Sequence, residues 1–385
     1  MVAINSDVEF TSWPMQIQLF RMFANHGLET SFSFWFFGDP EVTWHIFNKD
    51  FSRTPQADAA FHLMRAGLLD TLHSFVGVRN GCGFRVNRDM IERCYRESAA
   101  EDARIRVYSN HGTTDDYQNI GGKWATPGTP WLEYPMGDVP ASDRYHLDLT
   151  VGHGVRFFWT DVDRARDVVS FPPCAGEELG SSEQLDKLFV TQVSRDGVPI
   201  LRFRRTDTNV DPDGAELGNA LHRVLDGPDD GYSILYTHLG VKRDRQGGPV
   251  AASFGDIPTS VHEALARASA EQGDGRTLFT TTSRLLSHAF VSMCKPWSLV
   301  HRKNHILIKL QKSASVGPVT LDLDWRDFEG MAVQISENTQ VTLELGGETR
   351  VADSYEIANQ KYAGLSWQSL DMDTAIEEAQ RLAPV

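Results

Sequence analysis

Three apolar runs in this chain each end in a histidine beside small or polar residues: 67–75 with His73, 105–112 with His111, and 232–240 with His238. An apolar strand that delivers a polar side chain at its C-terminal end, repeated along a chain, is how a β/α barrel builds one active site from separate strands. Helical spacing at 57–69 (Ala59, Phe61, Met64, Leu68) and at 87–100 (Met90, Ile91 and Cys94 behind a capping Asn87) puts a helix before each of the first two runs. Strand, helix and strand in series imply parallel pairing. The aromatic run 31–37 is expected as a buried first strand. Further strands are expected at 154–160, 198–204 and 232–238, and helices at 215–225, 259–271 and 283–292.

After Trp297 the pattern changes. Residues 304–311, 318–325, 330–336 and 340–346 alternate apolar and polar side chains, which predicts an antiparallel β module. A short helix over 373–382 ends the chain. The expected organisation is a β/α domain over 1–298 and a β module with terminal helix over 299–385, a length that one barrel and an appendage account for.

The formal charge of −15 argues against a nucleic-acid backbone or an anionic membrane as the main partner. The first ten residues lack a basic start followed by an apolar stretch, and the run 31–37 is too short to span a bilayer. Cys82, Cys94, Cys174 and Cys294 show no paired spacing and read as reduced, mostly buried thiols. Together these predict a cytoplasmic protein with no membrane insertion. There is no phosphate-binding glycine loop, no Gly-x-Ser-x-Gly and no His-Glu-x-x-His.

Several residues could carry chemistry. Asp70 and His73 pair a carboxylate with an imidazole, a donor set suited to zinc or another divalent metal. In a regular strand, positions three apart point to opposite faces, so both line one site only if the strand ends near Asp70. The alternative is a polar pair that satisfies a strand end. His111 opens a polar loop over 113–122 that contains Asp116, beside Gly112, which permits close backbone approach. His238 suits a general acid or base. Asp161, at another strand end, could be a base or a helix cap. Alternation puts Arg202 and Arg204 on one face and Arg205 on the other, so at most one set faces the site; one of them, with Arg204 the first choice, could polarise an oxyanion or hold a carboxylate or phosphate group of a sugar. Glu29, His146, Asp148 and His153 are weaker candidates, as are Trp124 and Trp131, which could stack on sugar rings.

The order of these segments resembles the polysaccharide deacetylase superfamily, the NodB-homology fold, and especially uncharacterised members encoded in bacterial surface-polysaccharide clusters. The resemblance rests on 67–74, on Asn110-His111-Gly112 with 118–121, and on Leu235-Tyr236-Thr237-His238, which matches the family's leucine-x-x-histidine. It covers about residues 20–295. It implies an irregular barrel of about seven parallel strands and a metal-assisted deacylation of an N- or O-acetylated sugar. Asp70, His73 and His111 would hold the metal, most simply zinc. Asp116 or Asp161 would be the base, and His238 would protonate the leaving group. The family's first motif, a paired Asp-Asp after the first strand, is missing, and Glu29 is its stand-in. Two other functions fit the same residues: a metal-free glycoside hydrolase using two of Glu29, Asp70, Asp116 and Asp161, and a non-catalytic sugar-binding or scaffold protein.

Overall fold

A computed structural model describes residues 1–39, 43–77, 84–110, 118–120, 136–159, 182–184, 188–206, 215–227, 231–246, 249–337, 339–357 and 359–384. Its organising element is a mostly parallel sheet. The strands are β1 (Val2–Ser6), β2 (Ser31–Phe34), β3 (Leu69–His73), β4 (Val107–Ser109), β5 (Phe157–Trp159), β6 (Ser182–Gln184), β7 (Phe189–Val193), β8 (Pro199–Phe203), β9 (Ser233–Thr237) and β10 (Phe279–Thr280). Their order is β9-β1-β2-β3-β4-β5-β8-β7-β6, with β10 also paired to β1. All pairings are parallel except β8 with β7 and β7 with β6. Just past β8, the Thr206 N–H donates to the Ile234 carbonyl of β9 at 2.9 Å, which links the two ends of the parallel series.

The helices follow from local signals. Helix α1 (Trp13–Asn25) starts where the Ser12 hydroxyl accepts the Met15 N–H, with Pro14 in its first turn. Helix α2 (Ala57–Ala66) stops at Gly67, whose φ of +83° is the left-handed cap glycine adopts without strain. Helix α3 (Arg88–Ala100) begins at Asn87, whose side chain accepts the Met90 N–H at 3.0 Å, as its sequence predicts. A short α4 (Leu147–Gly152), then α5 (Ala215–Leu225), α6 (Thr259–Gly273) and α7 (Thr282–Cys294) follow, and α8 (Met372–Leu382) closes the chain. Every residue of β1 is buried, as are those of β2, β3 and β4, the expected state of strands covered on both faces.

The first strand is β1, not the aromatic run, whose strand is shorter (Ser31–Phe34) and second in order. The remaining aromatics of that run build the core beside it: Phe36 stacks on Phe47 and on Phe75, and Phe37 meets Phe51 edge-on.

The chain divides into two compact units, Met1–Ser283 with Leu370–Val385, and Arg284–Ser369. The sequence break at 298 therefore has its structural counterpart earlier, inside α7, and α8 belongs to the first unit. There it packs on α1 and α2, with the Trp13 Nε1–H donating to the Ala383 carbonyl at 3.2 Å. The second unit is mainly antiparallel, with one exception. Strand His305–Leu310 runs parallel to Gln340–Leu345, matching Ile306 to Val341, Ile308 to Leu343 and Leu310 to Leu345, all buried. A hairpin (Ser313–Val316 with Val319–Asp322) and a further strand (Ala332–Ile335) lie between them in sequence, which gives the chain the length a parallel return requires. Among the described residues, no helix is long and apolar enough to cross a membrane. Cys94 and Cys294 are not in disulfides, and burial pushes the Cys94 thiol well up; Cys82 and Cys174 lie outside the described residues.

Candidate metal centre

The C-terminal ends of the parallel strands bring ionisable and aromatic side chains together. Asp7 and Glu9 follow β1, His73 ends β3, Ser109 ends β4, and Tyr236 and His238 come from the end of β9. The chain leaves β1 through Asp7 and Glu9 and leaves β9 through Tyr236 and His238, so each strand end delivers a pair of polar side chains. His73 Nε2 lies 2.9 Å from Glu9 Oε1 and 3.1 Å from Asp7 Oδ2. One donor atom each from Asp7, Glu9 and His73 fall within 4.8 Å of one another, and this group could hold a metal ion.

Around that trio the support is dense. The Tyr236 hydroxyl donates to Asp7 Oδ2 and lies 3.1 Å from His238 Nε2, which is 3.4 Å from Glu9 Oε2. Trp35 stacks on the His73 ring at 5.8 Å with an interplanar angle of 11°. His73 Nδ1 is 3.2 Å from Ser109 Oγ, which also accepts from Arg205 Nη2 at 3.1 Å. Burial works against charge on His238, but the Glu9 carboxylate, with Asp7 behind it, outweighs that and holds its pKa above the usual histidine value. Burial, and then the same two carboxylates, push the Tyr236 phenol well above the ordinary tyrosine range.

The backbone is bent sharply directly after Glu9 and His73. Phe10, directly after Glu9, has φ +56°, and Ser74, directly after His73, has φ +59°. Left-handed conformations of non-glycine residues cost about 1–3 kcal/mol and concentrate where a site demands them. Here they turn the chain away immediately after Glu9 and His73.

Of the sequence-predicted residues, His73 and His238 are brought together, and Asp70 is not. The register between β2 and β3 shifts at Phe32/Ser33, so Asp70 is the extra residue of a β-bulge. Strand β3 nevertheless continues unbroken to His73. Asp70 instead joins a buried polar network: Oδ1 accepts from the Thr71 hydroxyl at 2.9 Å and Oδ2 from the Ser283 N–H at 2.7 Å, in the first turn of α7. Asn5 Nδ2 continues this network to Thr71 and Thr282.

Burial raises the Asp70 pKa, with the Ser283 and Thr71 hydrogen bonds opposing it. A carboxyl whose folded pKa is raised weakens the fold as pH climbs from the unfolded value through the folded one. Asp70→Asn, which keeps an acceptor for Ser283, is therefore expected to match or exceed the wild-type stability at pH 8, and the difference should shrink toward pH 4. Asp70→Ala strands both donors and should cost about 1–3 kcal/mol at either pH. Urea denaturation of the three proteins at the two pH values checks this.

Arg204, the expected anion holder, is half-buried and bonded through its backbone to Leu188; the arginine at the cluster is Arg205, on the opposite face. Arg202 is buried against Gln192. Glu29 accepts from Thr280 and from the Leu370 N–H, His146 is buried against Thr150, Asp148 pairs with Arg88, and His153 bonds the Leu149 carbonyl. His111, Asp116, Asp161, Trp124 and Trp131 lie outside the described residues.

Sequence reasoning missed Asp7, Glu9, Trp35, Ser109 and Tyr236. A signal for the first two exists: Val2-Ala3-Ile4 is a short apolar run whose end is Asn5-Ser6-Asp7-Val8-Glu9, the same form as the histidine-ended runs with carboxylates in the histidine's place. Comparisons with protein-family models, with curated proteins and with solved structures each give no match.

Proposed function

We propose that this chain is a metal-dependent hydrolase whose cation is held by Asp7, Glu9 and His73, and that its substrate is an acylated sugar. The observation that carries the metal is the convergence of two carboxylates and one imidazole within 4.8 Å at the ends of β1 and β3. Three protein ligands of this type leave room for water or substrate, the pattern of catalytic rather than structural zinc sites. Asp7 Oδ1 is buried without a hydrogen-bond partner among the described residues, which fits a carboxylate built for an additional ligand.

The substrate class comes from the resemblance to polysaccharide deacetylases. Two findings favour it. The carboxylate pair that family carries after its first strand has a counterpart in Asp7 and Glu9 after β1, and the bond from Thr206 to Ile234 is consistent with seven parallel strands curling into an irregular barrel.

When bound, the metal would polarise the acyl carbonyl and lower the pKa of a coordinated water. The protein supplies the rest. His238 keeps Nε2 on Glu9 and Tyr236, while its Nδ1 has no hydrogen-bond partner among the described residues. His238, beside Glu9 and Tyr236, is the group suited to give a proton to a leaving amine or alcohol. Tyr236 anchors Asp7 and so fixes one ligand against rotation.

Metal analysis of protein purified without chelator is expected to give one divalent ion per chain. Acetate release from N-acetylglucosamine oligomers should disappear with chelator and return with zinc. Chelator-resistant cleavage of the glycosidic bond would move the assignment to Asp7 and Glu9 as a carboxylate pair. Absence of both metal and turnover would leave a sugar-binding role.

A further inference from the structure

We propose that Ser109, held by Arg205, is the positioning residue that presents His73 to the metal through Nε2; this rests on the metal reading above. The unexplained feature is Arg205. It is 3 % exposed and forms no ion pair among the described residues. Burying a guanidinium without a carboxylate is costly. Two rings offset part of that cost, since its guanidinium carbon lies 3.5 Å from the Trp159 ring centroid and 3.7 Å from that of Tyr236. The rings also hold the guanidinium plane, and Nη2 then points at Ser109 Oγ, 3.1 Å away.

The consequence follows from donor and acceptor inventories. Arginine only donates. One lone pair of Ser109 Oγ is therefore taken by Arg205. The single hydroxyl proton has the Asn110 carbonyl at 3.4 Å. With a metal ion on Nε2, the one ring proton sits on Nδ1, and the remaining lone pair of Ser109 Oγ, 3.2 Å away, accepts it. That arrangement presents Nε2, the nitrogen beside Asp7 and Glu9, to the metal. Trp35 stacked on the ring face limits tilt, and Ser109 limits rotation in the plane. Partners that hold a metal-bound histidine this way are typically worth 10–100-fold in metal affinity.

The test is zinc affinity of the full chain, measured by competition with a chromophoric chelator. Ser109→Ala should weaken binding by about 10–100-fold. Ser109→Thr, which keeps the hydroxyl, should bind within a few fold of wild type. Arg205→Met should also weaken binding. That sign is diagnostic, because removing a nearby positive charge would by itself strengthen the hold on a cation. In the Ser109→Ala background, Arg205→Met should change affinity little, since its effect passes through the hydroxyl. Circular dichroism of each metal-free variant confirms that it is folded. Wild-type protein that binds no zinc defeats the metal reading itself. Wild-type protein that binds zinc while Ser109→Ala binds equally well, or while Ser109→Thr is as weak as Ser109→Ala in a folded protein, overturns the positioning role alone.

Discussion

His73→Ala is expected to bind no stoichiometric zinc and to lose the thermal stabilisation that zinc confers on the wild type. A ligand that binds only the folded state adds RT ln(1 + [L]/Kd), about 2.7 kcal/mol at a hundredfold excess over Kd. The wild-type melting temperature should therefore climb with added zinc while that of the variant stays level. The substitution also acts without metal. His73 is 2 % exposed and donates into two carboxylates, one of which, Asp7, is fully buried. Removing a buried donor leaves these carboxylate acceptors without their partner and costs about 1–3 kcal/mol. Calorimetry with and without zinc separates the two effects. A His73→Ala protein whose melting temperature still rises with zinc would falsify the ligand assignment.

The second large effect is at a residue with no polar atoms in its side chain. A Cβ at Gly77 would sit 1.8 Å from Cε3 of Trp35, inside the indole ring. That ring is 2 % exposed and is the one stacked on His73. Gly77→Ala is expected to cost about 1–3 kcal/mol through overpacking, and to weaken zinc binding because the displaced indole no longer braces the imidazole. Near-UV circular dichroism should change with the tryptophan environment, and urea unfolding should shift to lower concentration. Trp35→Leu in the Gly77→Ala background should recover part of the stability, because the two positions compete for one volume. An alanine at 77 that leaves both the spectrum and the urea midpoint untouched would remove Trp35 as a brace.

Much of the fold is legible in the sequence because it is written in local periodicity. Helix α5 was expected at 215–225 and occurs there, and Asn87 caps α3 as its spacing requires. The strand ends at His73 and His238 are visible as apolar runs closed by a polar residue. Other features are not local. The bulge at Asp70 arises from register against β2, which no window around residue 70 contains. The parallel pairing of His305–Leu310 with Gln340–Leu345 depends on what lies between them, because alternation alone does not state strand direction. Arg205 instead of Arg204 reaches the site, bonded to Ser109 at the end of β4 and stacked on Trp159 at the end of β5, a choice that alternation leaves open.

By itself, the sequence determined the α/β class, a polar site at strand ends containing His73 and His238, and a β-rich region after residue 297, since each of these follows from the spacing of apolar side chains along the chain. Only the tertiary structure decided the composition of the site. Asp7 and Glu9 are 64 or more residues from His73 in sequence, and parallel register sets them side by side. The same register leaves Asp70, three residues from His73, hydrogen-bonded to the start of α7, because pairing between strands, not distance along the chain, determines which side chains share a pocket.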